Sequence, residues 1–345
     1  MSKPRIAILA TGGTIAGVAA NPAATDGYRS ATLPIDALLA ALPGLGDIAE
    51  IQAEQVAQLD SKDMSFAVWQ RLDTRIRAWR DSGEVDGIVI THGTDSLEET
   101  AILLHLTQPA GIPVVLTAAM RPATAVSADG PLNLLHAVRV AAHPGSAALG
   151  VLVVVNQEIH AARDVVKLHT GAVQAFASPG CGPLGAVAGQ QIRYGRRPVA
   201  LAGIGGRLLG MPADWPWVEV IVSVAGARRQ LVDGLVQQGV QGLVIAGPGN
   251  GSIHEALLPA LADAWRQGVA VVRGSRSGAG YVTSATGVAA AGEHAAPGGF
   301  PATADLNPAK ARVALMLALG TGEAGIIGAQ GVPDALALQQ FFEAI

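Results

Sequence analysis

Residues 5–17 read RIAILATGGTIAG, an apolar run that ends abruptly in a glycine turn. The run at 6–10 is short and continuous, which is typical of a strand buried on both faces. Lys3 and Arg5 precede it as basic residues precede the core of a signal peptide, but the turn at Thr11 comes too early for such a core. The stretch therefore predicts the first strand of a sheet, followed by a loop of small residues.

Short apolar runs of the same kind alternate with longer segments of helical spacing. The strands are predicted at 5–10, 86–90, 112–117, 150–155, 218–224, 242–246 and 269–273. The helices are predicted at 66–79, 96–106, 131–142, 229–238, 254–267 and 308–319. This alternation with continuous apolar strands is typical of a parallel sheet covered by helices on both faces, so the fold class is α/β.

The rhythm of strands and helices breaks at 183–215, where Gly, Pro and Arg are frequent, and we interpret this stretch as an interdomain linker. A chain of 345 residues allows two domains. We expect a larger N-terminal domain of the Rossmann or flavodoxin type over 1–205 and a linker over 206–217. A smaller C-terminal α/β domain is expected over 218–345.

Composition excludes several classes of function. The chain has 23 basic and 27 acidic residues, a net charge of −4, which argues against a nucleic-acid partner. A lone cysteine, Cys181, excludes an internal disulfide and a metal site made of cysteines alone. The sequence has no run of 18 apolar residues, so no membrane-spanning helix is expected. If Met1 is the natural start, we expect the protein in the cytoplasm.

Ligands of open α/β sheets bind beyond the carboxyl ends of the strands, where this sequence places small residues and hydroxyls. Gly12 and Gly13 suit either a tight turn or a phosphate cradle, but neither dinucleotide nor P-loop spacing follows, which disfavours a nucleotide. The HExxH, CxxC and GxSxG motifs are also missing from the sequence. His92, in the turn after the strand at 86–90, is more typical of a hydrogen-bonded structural residue than of a base.

After these exclusions, the remaining candidate for catalysis is a hydroxyl nucleophile that works without a histidine base. A threonine hydroxyl is a poor nucleophile unless a neighbouring group polarises it or takes its proton. Tyr28 and a buried lysine such as Lys167 are candidates for that role. Asp95 is placed to hold this lysine or to receive a substrate ammonium group. Each residue alone is typical of a structural or surface position, but together, at successive strand ends, they predict an active site.

Six segments carry a resemblance to a known family. They are ATGGTIAG (10–17), ITHGTDSLEETA (90–101), AMRPATAVSADGPLNL (119–134), ARDVVKLHT (162–170), GPGNG (247–251) and LNPAKARV (306–313). In this order they resemble the bacterial-type L-asparaginases of the asparaginase/glutaminase family. The resemblance implies hydrolysis of L-asparagine to L-aspartate and ammonia, as in asparagine catabolism, without a metal or organic cofactor.

The resemblance also implies roles for individual residues. Thr14 matches the nucleophilic threonine of the family, and Tyr28 matches a loop tyrosine that activates or orients it. Thr94, Lys167 and Asp95 match a second arrangement of threonine, lysine and aspartate, in which the aspartate also grips the substrate α-amino group. We expect Thr14 to attack first and form an acyl-enzyme.

Further matches concern substrate binding and assembly. Ser61 matches the serine that holds the substrate α-carboxylate. Asn250 matches an asparagine contributed by a neighbouring subunit, which implies a homotetramer built as a dimer of dimers. Two departures bear on recognition: Lys62 stands where glutamine is frequent, and Gly287 stands where many members have a glutamate. Glu293 replaces that glutamate only if a loop insertion carries it back.

Other interpretations remain beside this one. The first is a glutaminase-asparaginase or a related ω-amidase with a different amide preference, including the glutaminase-like subunit of a tRNA amidotransferase, which carries an extra N-terminal domain. The second is a non-catalytic binding protein on the same scaffold, which has no need of both threonines and the lysine. Residues 15–33, rich in Gly and Ala, are expected to form a lid that is mobile without ligand.

Overall fold

The structure is a computed structural model. It describes residues 2–23, 27–109, 111–198, 210–283, 299–322, 326–328 and 331–345. The chain divides into two compact units, Met1–Pro198 and Val199–Ile345, and each is described here by itself. Residues 199–209 lie outside the described ranges, so the linker at 206–217 stays a prediction.

Within its described residues, the first unit contains one large sheet, a two-stranded ribbon and five α-helices. Its strands are β1 (Arg5–Gly12), β2 (Glu50–Leu59), β3 (Gly87–Thr91), β4 (Val114–Thr117), β5 (Val151–Val155), β6 (Glu158–Ala161), β7 (Val166–Lys167), β8 (Phe176–Ala177), β9 (Gly185–Ala188) and β10 (Gln191–Tyr194). Its helices are α1 (Ile35–Ala40), α2 (Leu45–Ile48), α3 (Phe66–Ser82), α4 (Leu97–Thr107) and α5 (Gly130–Ala141).

The parallel half of the sheet has the strand order β2-β1-β3-β4-β5. All residues of β3, β4 and β5 are buried, as the continuous apolar runs predict. This strand order is that of flavodoxin-like folds, in which the topological switch point lies between β1 and β3, because the chain connects outward from β1 to β2 on one side and continues through β3 on the other. The carboxyl ends of these two strands therefore flank the crevice where such sheets bind ligands, and the predicted fold class is confirmed.

The other half of the sheet is antiparallel, which differs from a purely parallel prediction. Strand β6 pairs with β5 through a tight turn at Asn156 and Gln157, whose φ angles are 47° and 69°. Strands β9 and β10 then form a hairpin that extends the sheet beyond β6. The interpretation of 183–215 as linker is therefore wrong for 185–194, because these residues build the edge of the sheet.

The second unit has a three-stranded parallel sheet in the order β11-β12-β13. Its elements are β11 (Val218–Val222), α6 (Gln230–Gln237), β12 (Gly242–Gly247), α7 (Leu258–Arg266), β13 (Ala270–Ser275), α8 (Pro308–Gly320) and α9 (Ala335–Ala344). Helix α9 was not expected from the sequence. Within the described ranges, no helix has both the length and the apolar character needed to cross a membrane.

Candidate active site

Three loops meet at the carboxyl ends of β1, β2 and β3. The Gly13 N–H donates to the Leu59 carbonyl at the end of β2, over 2.9 Å. Gly13 has a φ of 80°, and a Cβ on it would lie 2.3 Å from the Gly93 Cα. A Cβ on Gly93 would in turn lie 2.5 Å from Ser61 Oγ. Only glycine permits this approach, which brings the loops carrying Thr14, Ser61 and Thr94 into backbone contact.

Thr14 opens a 3-10 turn, Thr14–Ala16, directly after β1, and it is buried. Its Oγ1 lies 2.7 Å from Tyr28 Oη, and either oxygen can be the donor. Tyr28 precedes Arg29, which exchanges two backbone hydrogen bonds with Val18, each of 2.9 Å. The return of the chain past Val18 thus brings the Tyr28 side chain to the Thr14 hydroxyl.

Lys167 joins the second threonine to a carboxylate. Its Nζ donates to Thr94 Oγ1 over 2.8 Å and to Asp95 Oδ1 over 2.5 Å. An ammonium group has only donors, so the Thr94 oxygen accepts here and its own proton is available to another group. The Asp95 side chain is 54% exposed, which leaves its carboxylate accessible to a ligand. The backbone N–H of Lys167 donates to Glu98 Oε2 on α4 over 2.9 Å.

Ser61 is buried between the loops after β2 and β3. Its Oγ accepts the Asp95 N–H over 3.1 Å, and its carbonyl accepts the Ser96 hydroxyl over 2.7 Å. The next residue, Lys62, is exposed and pairs with Asp63 at 2.5 Å. The hydrogen bond to the Asp63 carboxylate, together with nearby acidic groups including Asp95, raises the pKa of Lys62 above its usual 10.5. The loop that carries Ser61 therefore also carries the positive charge of Lys62.

His92 is fully buried behind this loop. Its Nδ1 lies 2.7 Å from the Gly93 carbonyl, and its Nε2 lies 2.9 Å from Thr100 Oγ1, which also accepts the Trp69 indole N–H. Burial lowers the pKa of His92 to about 4, so the ring is neutral near pH 7. Because a carbonyl only accepts, Nδ1 carries the proton and Nε2 accepts from Thr100. These contacts agree with the structural interpretation of His92.

Asn250 belongs to the second unit, in the turn after β12, and so is described apart from the other predicted site residues. Its side-chain amide donates to Thr283 Oγ1 over 2.8 Å and accepts the Thr283 N–H over 2.9 Å. The main-chain carbonyl of Asn250 accepts a hydrogen bond from Nη1 of the buried Arg273 over 2.8 Å. The predictions on Gly287 and Glu293 fall outside the described residues.

The arrangement offers two hydroxyls, each with a polar partner, beside an accessible carboxylate. This set suits nucleophilic attack on a carbonyl compound that carries an ammonium group. Among the described residues, no group of three or more His, Cys, Asp or Glu is placed to hold a metal ion. Sequence reasoning missed the acceptor that Glu98 provides for Lys167 and the chain from Trp69 through Thr100 to His92. No local pattern signals either, because the partners come from different elements.

Comparison with known proteins gives a consistent result over both units. The model for the N-terminal asparaginase domain matches residues 5–200, and that for the C-terminal glutaminase/asparaginase domain matches residues 217–325. The chain is 43% identical over 341 residues to a probable periplasmic L-asparaginase of Haemophilus influenzae, covering 99% of this chain and 93% of the relative. It is 42% identical over 325 residues to L-asparaginase 2 of Escherichia coli, covering 92% and 90%.

Two further comparisons bear on amide preference and on structure. The chain is 38% identical over 315 residues to a glutaminase-asparaginase of Pseudomonas fluorescens, covering 91% of this chain and 86% of the relative. The crystal structure of a probable cytoplasmic L-asparaginase from Campylobacter jejuni superposes with a TM-score of 0.86 at 37% identity, covering 99% of this chain and 100% of that one.

Proposed function

Because the chain belongs to the asparaginase family, we propose that Thr14 begins the hydrolysis of the side-chain amide of L-asparagine. The protein is an L-asparaginase hydrolase, which converts asparagine and water into aspartate and ammonia. The observation that carries the residue assignment is the 2.7 Å contact between Thr14 Oγ1 and Tyr28 Oη. A buried threonine hydroxyl with such a partner meets the requirement for an activated nucleophile.

In the proposed mechanism, Thr14 Oγ1 attacks the amide carbon while the hydrogen bond to Tyr28 polarises its hydroxyl. Negative charge then develops on the amide oxygen, and we assign its stabilisation to the main-chain N–H of Thr94 and to water. The proton that the Thr14 hydroxyl gives up passes to the amide nitrogen, the C–N bond breaks and ammonia leaves, so that an ester joins Thr14 to the aspartyl group. Water then attacks this ester, and aspartate is released.

The amino-acid end of the substrate is bound by a different set of groups. We propose that the partly exposed carboxylate of Asp95 pairs with the α-ammonium group and that Ser61 contacts the α-carboxylate. Lys167 donates hydrogen bonds to the Asp95 carboxylate and the Thr94 hydroxyl, which fixes the carboxylate and leaves the Thr94 O–H able to donate to another group. We propose that Thr94, Asp95 and Lys167 together position the substrate. Such positioning orients the amide for attack by Thr14.

Finer points of the function are also proposals. We propose asparagine as the preferred amide, supported by relatives named L-asparaginase at 42% and 43% identity, with glutamine as the alternative that the relative from Pseudomonas suggests. We propose a homotetramer in which Asn250 serves a neighbouring site. A cytoplasmic location is proposed on the likeness to the probable cytoplasmic L-asparaginase of Campylobacter jejuni, whereas the relative from Haemophilus influenzae is named as periplasmic.

Replacement of the proposed nucleophile tests the mechanism. We expect Thr14→Ala to fold normally and to lose several powers of ten in kcat, as loss of a nucleophile typically does. Ammonia release from asparagine and from glutamine measures both turnover and amide preference. The matched control is Thr74→Ala on the exposed face of α3, where the hydroxyl bonds only to the Gln70 carbonyl. A folded Thr14→Ala enzyme with more than about a tenth of the parent kcat would refute the assignment.

A further inference from the structure

The segment that carries Tyr28 is held in place by residues 17–19. Val18 and Arg29 exchange two backbone hydrogen bonds, each of 2.9 Å. The tyrosine ring lies directly against Gly17, because a Cβ on that glycine would come within 3.1 Å of Tyr28 Cδ2. The position of the Tyr28 hydroxyl relative to Thr14 therefore depends on where residues 17–19 lie.

Residues 17–22 are held in turn by the loop at 122–126. The Ala123 N–H donates to the Gly17 carbonyl over 2.9 Å, and the Val126 N–H donates to the Pro22 carbonyl over 3.0 Å. Between these two backbone hydrogen bonds, the Thr124 side chain contacts the backbone of Ala19. Thr124 Oγ1 accepts the Ala19 N–H over 2.9 Å and lies 3.4 Å from the Ala19 carbonyl.

The Ala19 N–H depends on this hydroxyl. Ala19 is only 7% exposed, whereas Thr124 itself lies at the surface. This hydrogen bond is partly buried, and its loss would leave the N–H of a buried residue without its acceptor, so we expect residues 17–19 to shift toward another acceptor or toward water. Since Val18 adjoins Ala19 and pairs with Arg29, the shift would be passed on to Tyr28.

We propose that Thr124 is a positioning residue for the reaction, acting through residues 17–19 on the hydrogen bond between Tyr28 and Thr14. This inference rests on the proposed role of Tyr28. Thr124 does not touch the substrate in this assignment. Its hydroxyl holds the segment that presents the Tyr28 hydroxyl to the nucleophile.

The test begins with Thr124→Val, which keeps the shape of the side chain and removes the hydroxyl. We expect kcat for asparagine to fall about three- to tenfold, while thermal unfolding shows that the enzyme remains folded. Thr124→Ser, which keeps the hydroxyl, should retain the parent kcat. Thr74→Val on α3, a matched loss of a surface hydroxyl, should also leave kcat unchanged.

A double-mutant cycle separates this inference from the proposed function. If Thr124 acts through Tyr28, Thr124→Val should cause no further loss in a Tyr28→Phe enzyme. An equal loss in both backgrounds, or no loss in the parent, would overturn the inference while leaving Tyr28 in its role. A fully active Tyr28→Phe enzyme would instead refute the role of Tyr28 itself, and this inference with it.

Hydrogen exchange gives a readout that does not depend on activity. The Ala19 amide should exchange faster in Thr124→Val than in Thr124→Ser, because only the serine preserves its acceptor. The amides of residues in α3 should exchange equally in all three enzymes. Unchanged exchange at Ala19 in Thr124→Val would mean that this hydroxyl does not hold residues 17–19, and the inference would be wrong.

Discussion

A buried neutral histidine supports the loop that carries Thr94 and Asp95. His92 has no exposed surface, and its two ring nitrogens are used by the Gly93 carbonyl and the Thr100 hydroxyl. Protonation of Nε2 would turn this acceptor into a donor opposite Thr100 and would place a charge in the core. The hydrogen bond between Nε2 and Thr100 therefore depends on the neutral ring, whereas Nδ1 donates to the Gly93 carbonyl in either protonation state.

The pH dependence of stability follows from this burial. Burial lowers the pKa of His92 from 6.5 to about 4, so between these values the unfolded chain binds more protons than the folded one. The stability that neutral His92 contributes is complete above about pH 6.5 and is lost as the pH falls toward 4. We expect urea unfolding at pH 4.5 to show roughly 2–3 kcal/mol less stability from this group than at pH 7.

The variant His92→Gln isolates this contribution, because glutamine offers a donor and an acceptor but does not titrate. Its stability should fall less than that of the parent between pH 7 and pH 4.5. Asp86 interferes little in this window, because hydrogen bonds from Arg5 hold its pKa below the usual 3.8 and its contribution is lost only at lower pH. Equal losses in parent and variant would contradict the assignment.

At the scale of the elements, burial decided what could be predicted from the sequence. Strands β1, β3, β4 and β5 are buried on both faces, so their composition alone marks them as strands. Strand β2 escaped prediction because it lies at the edge of the sheet, and its residues EIQAEQVAQL favour a helix more than a strand. Its place is fixed by pairing with β1, a long-range contact without a local signal.

The same limit applies to the candidate site. Thr14, Thr94 and Asp95 follow strands that the sequence predicts, so the rule that ligands bind at strand ends points to them. Ser61 follows the unpredicted β2 and was reached only through the family resemblance. Lys167 lies on β7, a ribbon of two residues paired with β8, which is too short to carry a periodic pattern. The family resemblance grouped Lys167 with Thr94 and Asp95, and only the structure gives the atoms and distances of these contacts.

The placement of β7 leads to a prediction about α4. Glu98 in the first turn of α4 accepts the backbone N–H of Lys167 over 2.9 Å, which ties β7 to the helix that follows Thr94 and Asp95. In Glu98→Ala this acceptor is lost, so Lys167 should be held less firmly against both residues. We expect kcat for asparagine to fall about tenfold, measured by ammonia release at saturating substrate.

Glu98→Gln is the matched control, because its amide oxygen can still accept the Lys167 N–H. It should retain most of the activity that Glu98→Ala loses, while thermal unfolding shows that both enzymes remain folded. If the two variants lose the same activity, the charge of Glu98 matters rather than its position as an acceptor. If neither loses activity, Glu98 does not position Lys167.

At the scale of the whole molecule, the open question is whether one chain builds a complete site. The residues proposed to carry the chemistry lie in the first unit, whereas Asn250 lies in the second. Within its own unit, the Asn250 side chain is engaged with Thr283, and Arg273 holds its carbonyl. These contacts fix the Asn250 turn firmly, which is what a residue presented to a neighbouring subunit would require.

Mixing two inactive variants tests whether sites are shared between subunits. We expect Thr14→Ala and Asn250→Ala enzymes each to be inactive or weak in ammonia release. If the Thr14 of one chain works with the Asn250 of another, a symmetric pair of unlike chains contains one intact site and one doubly altered site. Random exchange of equal amounts makes about half of the pairs mixed, so about a quarter of all sites should be intact.

The control is a mixture of each variant with itself, taken through the same exchange, with formation of hybrids verified by native mass spectrometry. Recovery of about a quarter of the parent activity, limited to the mixed sample, would support the shared site, because neither chain alone holds both residues intact. Hybrids without recovered activity would mean that the Asn250 of one chain does not complete the site of another. In that case the contact with Thr283 would account for the residue, which would stabilise its own turn rather than complete the neighbour's pocket.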